Sequence, residues 1–272
     1  MWTPAARAEL SRESLPYATC LRDAEWGIVA PLLPTPASTG RPWRWPLRSI
    51  LDGILYVLRT GCAWRHLPLD FPPWSTVHRW FLRLSQEGLF ERLAHALTIA
   101  DRERAGREAS PTGAILDAQA ARSGGVGVAG ERGYDPAKRV VGSKRHALTD
   151  TDGRLLVAAV SPANLHDSHG GIALLRASRG VWPFLAHCFA DRAYQGERLA
   201  SATAITVEIV QPEEGQKGFA VQPRRWVIER TFGWISRCRR LARDHEATAS
   251  SALAFFIFAA AMILVRRLAR SL

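Results

Sequence analysis

Paired cysteines are missing from this chain. Its four cysteines, Cys20, Cys62, Cys188 and Cys238, are scattered through 272 residues and no two have CxxC spacing. That argues against structural zinc and for a reducing compartment. No secretory leader is expected, since Glu9 and Glu13 lie in an amino-terminal stretch without an apolar run. The most hydrophobic run, Ala252 to Val265, falls short of the ~20 residues a bilayer span requires. It is expected as a buried core helix, with Arg266, Arg267 and Arg270 suited to its carboxyl end. There is no lipidation motif and no internal repeat. Acids are also few, 25 Asp and Glu against 36 Lys and Arg, a formal charge of +11. A field of that sign gathers phosphates, so a polyanion is the expected partner; an acidic membrane surface is the rival, opposed by the lack of a long basic amphipathic helix apart from the core pattern.

The hydrophobic share of 47% is that of a globular protein with a core. Seven of the ten tryptophans precede residue 81, so the two parts of the chain differ in composition. The first part reads as helical. Asp23 is a cap candidate for "LRDAEWGIVAPLL", and "PLRSILDGILYVLRTG" sets Ile50, Leu51, Ile54, Leu55 and Leu58 on one face before Gly61. "FPPWSTVHRWFLRLSQEGLFERLAHAL" predicts two helices broken at Gly88, the first capped by Ser75. Such a pair suits a helix-turn-helix, with Arg79 and Arg83 as DNA-contact candidates, or a plain helical bundle. The expected boundaries are a disordered arm over 1–20, a helical region over 21–100, a charged linker over 101–113, and a second domain over 114–272. In that domain "SKRHALTDTDGRLLVAAVSP" predicts a hairpin at Asp152-Gly153. Further strands alternate with helices, which describes an α/β domain with a mixed sheet.

Three of the fourteen acids between Asp117 and Glu246 have no inexpensive explanation. Asp117 follows Ala-Ile-Leu, Asp191 follows Cys-Phe-Ala and Glu229 follows Trp-Val-Ile, so each stands where a core element reaches its edge. Clustered buried carboxylates need cations or protons to persist. Hard oxygen donors suit Mg²⁺ or Mn²⁺, and two such ions serve phosphodiester chemistry. The rival reading is salt bridging: Arg225 lies one turn before Glu229, and Arg192 adjoins Asp191.

"LRDAEWGIVAPLLP", "ILDGILYVLRTGCAWRHLPLDFPPWSTVHRWF", "LDAQAARSG", "GSKRHALTDTDGRLL", "ANLHDSHG", "FADRAYQG" and "WVIERTFGWISRCRRLARDHE" together resemble the bacterial insertion-sequence transposases of the DDE class, in the insertion sequence five family. The resemblance covers nearly the whole chain after residue 20. It implies a ribonuclease-H-like fold and a triad falling on Asp117, Asp191 and Glu229. That triad would bind two Mg²⁺ ions (or Mn²⁺) for cleavage and strand transfer at the inverted repeats of a mobile element. It also implies double-stranded DNA as partner, a homodimer or higher oligomer on that DNA, and a cytoplasmic, nucleoid-associated place.

The sequence departs from the family around the glutamate, where Tyr, Arg, Glu and Lys are often found. Arg225 and Glu229 fit, Gln222 stands in place of Tyr, and Ser236 in place of Lys, with Arg237 as its replacement. From Arg224 to Arg243 there are seven arginines, of which Arg225, Arg237, Arg239 and Arg240 are DNA-contact candidates. Lys144 and Arg145, with Lys138 and Arg139, form either a solvated strand edge or a phosphate track. Trp226 and Trp234 are expected in the core. In "HDSH", Asp167 is expected to cap a helix rather than to join His166 and His169 around a metal. A structure-specific nuclease on the same fold, or a degenerate copy that only binds DNA, are the competing readings.

Overall fold

The structure is a computed structural model that describes residues 3, 8, 10–36, 38–39, 42–125, 132–210 and 224–270. Helices α1 (Asp23–Val29), α2 (Leu47–Thr60), α3 (Trp74–Gln86) and α4 (Leu89–Arg104) come first. The spacing of apolar residues in α2 buries the face it predicts, and Gly61 ends that helix at φ 72°. Two expected caps lie inside their helices instead. Arg22 holds the cap position of α1, its N–H donating to Glu25 at 3.0 Å, and Pro73 precedes α3, so neither Asp23 nor Ser75 is the cap. Proline has no N–H to satisfy and suits a helix entrance.

Strands β1 (Gly113–Arg122), β2 (Gly133–Asp135), β3 (Val140–Asp150), β4 (Leu155–Pro162), β5 (His187–Ala190) and β6 (Thr206–Ile209) form one sheet of order β2-β3-β1-β5-β6, with β4 also on β3. β3 is antiparallel to β1 and β4, whereas β1, β5 and β6 run parallel. The β3–β4 turn falls at Asp152-Gly153 as its sequence predicts. The Asp150 carboxylate accepts the amides of Asp152 (3.0 Å) and Arg154 (2.9 Å), and Gly153 takes φ 91°. Helices α5 (Asp167–Val181), α6 (Glu197–Ala200), α7 (Trp226–Ile235), α8 (Arg239–Ala242) and α9 (Ala249–Leu268) complete the described elements. A helical region followed by a mixed sheet flanked by helices is the ribonuclease-H-like arrangement.

The two sheet faces carry different cores. α5 covers one, and its Gly170 and Gly171, which weaken the helix in isolation, permit close approach. A Cβ on Gly170 would lie 2.3 Å from the His146 ring, and one on Gly171 2.9 Å from the Tyr194 ring. α7, α9 and α4 cover the other face, and that core continues into the first helices. Phe255 stacks on Phe81 at 4.3 Å and Phe258 packs on Phe90 at 4.9 Å. α9 is long and apolar enough to cross a membrane by length and composition, but 72% of its apolar window is buried inside the protein.

The expected boundaries therefore need correction. No solvated linker begins at residue 101: α4 runs through Arg104, and Asp101 is fully buried. Its carboxylate meets Arg154 (2.6 Å), Arg104 (2.8 Å) and Arg267 (2.8 Å), while Arg102 reaches Asp150 at 2.6 Å. A charged run reads as solvent-facing only while its distant partners are unknown. Residues 11–20 of the expected disordered arm are folded too: Tyr17 stacks on Phe71 at 5.0 Å, Arg12 pairs with Glu25, and Cys20 is buried.

Candidate active site

Strand alternation assembles the first two carboxylates. On β1, Ala114 and Leu116 belong to the core beneath α5, while Ile115 belongs to the opposite one; on β5, Cys188 and Ala190 divide from Phe189 in the same way. Ile115 and Phe189 are paired in parallel register. Two residues further along come Asp117, still on β1, and Asp191, one residue past the end of β5 in extended backbone, so both stand on the Ile115–Phe189 face of strands ~4.8 Å apart. Asp117 Oδ1 accepts the Ala118 N–H at 2.7 Å, and Asp191 Oδ1 accepts the Ala193 N–H at 2.9 Å.

α7 delivers the third. It buries Val227, Ile228, Thr231, Phe232 and Ile235, which leaves Glu229 in the first turn with its side chain 54% exposed. Thr231 Oγ1 docks the helix on the β3–β4 turn, 3.0 Å from the Gly153 carbonyl. Arg225 then ties the set together. Its Nη2 lies 3.9 Å from Asp117 Oδ2, 3.6 Å from Asp191 Oδ2 and 3.7 Å from Glu229 Oε1. Those separations are ion pairs rather than hydrogen bonds. Its Nε is buried without a hydrogen-bond partner, so the guanidinium is held loosely.

Three carboxylates around one guanidinium leave an excess of negative charge. Burial pushes the Asp117 carboxyl up to about 6, the Ala118 N–H and Arg225 oppose that shift, and Asp191 adds to it. Lys138 lowers it further from the exposed β2–β3 turn. Among the described residues, no three His, Cys, Asp or Glu side chains are gathered tightly enough to hold a metal ion as they stand. The donors are nonetheless the hard oxygens that divalent cations of the Mg²⁺ type take, and the charge balance calls for cations beyond Arg225. By donor type and charge, the residues fit.

Tyr194 escaped the sequence reading. Its hydroxyl is buried with no hydrogen-bond partner, and burial together with Asp117, Asp167 and Asp191 raises its pKa far above the usual phenol range. Its position inside "FADRAYQG" was the one available signal.

The basic residues divide. Arg79, Arg83, Arg237 and Arg239 are exposed. Lys144, Arg145 and Arg240 are buried, which removes them from the expected DNA-contact set. Lys144 pairs with Asp167 at 2.9 Å and donates to the Leu165 carbonyl at 2.8 Å. Arg145 donates to the Leu241 carbonyl at 2.7 Å, and Arg240 pairs with Glu246 at 2.5 Å. β3 is an interior strand with partners on both sides, so it offers no edge for a phosphate track. Asp167, occupied by Lys144, does not cap α5; the His166 ring accepts the Ser168 amide there. Trp226 and Trp234 are not core residues either: they flank Arg230, whose guanidinium carbon lies 4.6 and 4.5 Å from their rings. Ser236 Oγ accepts from the Gln119 amide at 3.5 Å, and Gln222 lies outside the described residues.

A mixed sheet that presents two acids to a third on a flanking helix, behind a helical region, defines a class, and the comparisons agree. Residues 108–264 match the family described as transposase DDE domain, and residues 21–94 match the putative transposases of the IS4/5 family. The chain belongs to the IS4/IS5-family DDE transposases. It is 30% identical over 149 residues to the putative transposase for insertion sequence element IS402 of Burkholderia cepacia, covering 51% of this chain and 71% of that relative. It is 38% identical over 111 residues to an uncharacterized 16.2 kDa protein of the same element, covering 39% of this chain and 74% of the relative. No solved structure matches. A DDE transposase domain implies a transposase catalytic activity on DNA, of a kind that typically uses divalent metals.

Proposed function

We propose that this protein binds the terminal inverted repeats of its own mobile element and catalyses both strand cleavage and strand transfer, with Asp117, Asp191 and Glu229 as the catalytic carboxylates. The observation that carries this reading is the convergence of all three acids on Arg225 Nη2, at 3.6 to 3.9 Å. Two divalent ions held there would activate a nucleophilic oxygen and stabilise the leaving oxygen of a phosphodiester. Asp117 and Asp191, on neighbouring strands, provide the rigid side of the site; the half-exposed Glu229 closes it from α7. Arg225 offsets part of the carboxylate charge meanwhile, and its loose contacts let it turn toward a strand phosphate. End recognition falls to α3, where Arg79 and Arg83 are exposed beside Trp43 and Trp80. Work on two element ends calls for a dimer or higher oligomer on DNA, in the cytoplasm with the nucleoid.

Asp117→Ala, Asp191→Ala and Glu229→Ala should each abolish Mg²⁺-dependent cleavage and joining of element-end DNA and leave end binding largely intact. Salt bridging alone predicts otherwise: activity would fall only with folded protein. Glu229→Ala is the most informative, because Arg225 keeps Asp117 and Asp191 as partners and the domain should stay folded. A folded variant that cleaves at close to the wild-type rate would remove its residue from the site. Cleavage without joining by the wild-type chain would favour a nuclease instead.

A further inference from the structure

A buried hydroxyl stands unpaired next to the carboxylate cluster. Tyr194 ends the short turn Arg192–Tyr194 that follows Asp191, and Asp191 fixes that turn twice. Its carboxylate accepts the Ala193 N–H at 2.9 Å, and its carbonyl accepts the Tyr194 N–H at 3.0 Å. The Tyr194 ring is 1% exposed and belongs to the core beneath α5, together with Leu116, the residue before Asp117 on β1. Both side chains meet Gly171: a Cβ there would lie 2.9 Å from the Tyr194 ring and 3.0 Å from Leu116 Cδ2. The ring and Leu116 are therefore neighbours. The ladder between β1 and β5 stops at Ile115 and Phe189, short of Asp117 and Asp191. A group on the α5 side of the sheet can approach the carboxylates through that fork.

Donor and acceptor complement each other here. The Tyr194 hydroxyl is buried without a hydrogen-bond partner among the described residues, and a buried donor left unpaired is costly. Asp117 has one hydrogen bond among them, from the Ala118 N–H to Oδ1 at 2.7 Å. Its Oδ2 meets Arg225 Nη2 only at 3.9 Å, beyond hydrogen-bonding distance. Of the other nearby acids, Asp167 is paired with Lys144 at 2.9 Å, and Asp191 is held by its own turn. After burial, Asp117 does most to raise the Tyr194 pKa, ahead of Asp167 and Asp191.

On the reading of Asp117, Asp191 and Glu229 as metal ligands, we propose that Tyr194 is a positioning residue: its hydroxyl donates to the Asp117 carboxylate and sets how that carboxylate meets a divalent cation. Oδ2, which no hydrogen bond holds, is the oxygen free to turn to it. A neutral donor orients a ligand and leaves its negative charge to the cation, whereas a guanidinium competes for that charge. Arg225 balances the cluster, and Tyr194 orients one member of it.

The test uses the full chain as wild type, Tyr194→Phe, Thr149→Val and Asp117→Ala. Phenylalanine keeps the ring and removes only the hydroxyl. Thr149 is the control, a fully buried hydroxyl on β3 that also lacks a partner among the described residues. Mn²⁺ binding is titrated by calorimetry without DNA, and thermal midpoints are read in chelator. The Mg²⁺ concentration for half-maximal cleavage of element-end DNA is read alongside. Loss of a group that orients a metal ligand weakens binding about 10–100-fold. The expected result is that Tyr194→Phe melts with the wild type in chelator, binds Mn²⁺ about tenfold more weakly and needs about tenfold more Mg²⁺, while Thr149→Val keeps wild-type affinity. Wild-type Mn²⁺ affinity in Tyr194→Phe overturns the proposal and leaves the hydroxyl to Asp167 or the ring to the core alone. Equal weakening in Thr149→Val overturns it too, since any lost buried hydroxyl would then loosen the site. Wild-type binding no stronger than that of Asp117→Ala overturns the metal-ligand reading itself, and this proposal with it. Should Tyr194→Phe melt early, titration below its midpoint decides, because affinity is then read on folded protein.

Discussion

His146 sits fully buried beneath Gly170 of α5, with Nε2 2.8 Å from Ser161 Oγ and Nδ1 without a partner. Burial lowers its pKa to about 4, and Lys144 assists against the opposing pull of Asp167. The unfolded chain takes up a proton near the usual histidine value of ~6.5, before the folded chain does. Its contribution is therefore fully present above ~6.5 and is lost as pH falls toward 4, by about 3 kcal/mol in all. Urea unfolding of wild type and His146→Leu between pH 7 and 4.5 should show this acid-sensitive component in the wild type and its absence in the variant, whatever the variant does to stability at pH 7. A residue's chemistry was legible where the strand period carried it: Asp117 and Asp191 follow apolar runs and do lie at core edges. Lys144, Arg145 and Arg240 were not, because a cation's burial depends on a distant acid or carbonyl such as Asp167, Leu241 or Glu246, and local sequence does not record which.

Elements were read well where their signals are local. The α2 stripe, the Gly61 and Gly88 stops and the Asp152-Gly153 turn all lie as the pattern predicts. Helical periodicity left open which helix of the pair faces DNA, since it does not say what covers the apolar side. α4 turns Leu93, Leu97 and Asp101 inward, and its exposed residues mix the acids Glu91 and Glu103 with Arg92 and Arg104. α3 has the freer basic surface. The β3–β4 turn is equally specific: Gly153 takes φ 91°, and a Cβ there would lie 2.6 Å from Thr231 Oγ1. Gly153→Ala should cost about 2–4 kcal/mol from backbone strain and overpacking. It should also shift α7, so Glu229-dependent cleavage falls more than the folded fraction does. Equal losses of cleavage and folded protein would show that α7 keeps its seat without this contact.

At the scale of the whole molecule, two domains in sequence became one body around a shared core. Aromatic composition separated the halves, and the packing of Phe255 and Phe258 on Phe81 and Phe90, with the buried pairs of Asp101 to Arg154 and Arg267, joins them. A chain of residues 101–272 alone would leave the α4-facing side of α9 in water, and a chain of 1–100 would lose the cover over Phe81 and Phe90. Neither fragment should show a cooperative thermal transition, and both should bind a dye for exposed apolar surface; mixing them should restore part of the transition. A sharp melt from either fragment alone would restore the two-domain picture.

The seat of α9 has a consequence in time. The partners of its phenylalanines leave the ribosome early, at Phe81 and Phe90, and wait through the synthesis of the whole sheet before residues 249–268 arrive. At ~5–20 residues per second that interval is on the order of ten seconds or more, with apolar surface awaiting its cover. Apolar surface left open for that long is the kind that chaperones cover, and a translation product that stops short of α9 never gains the cover over Phe81 and Phe90.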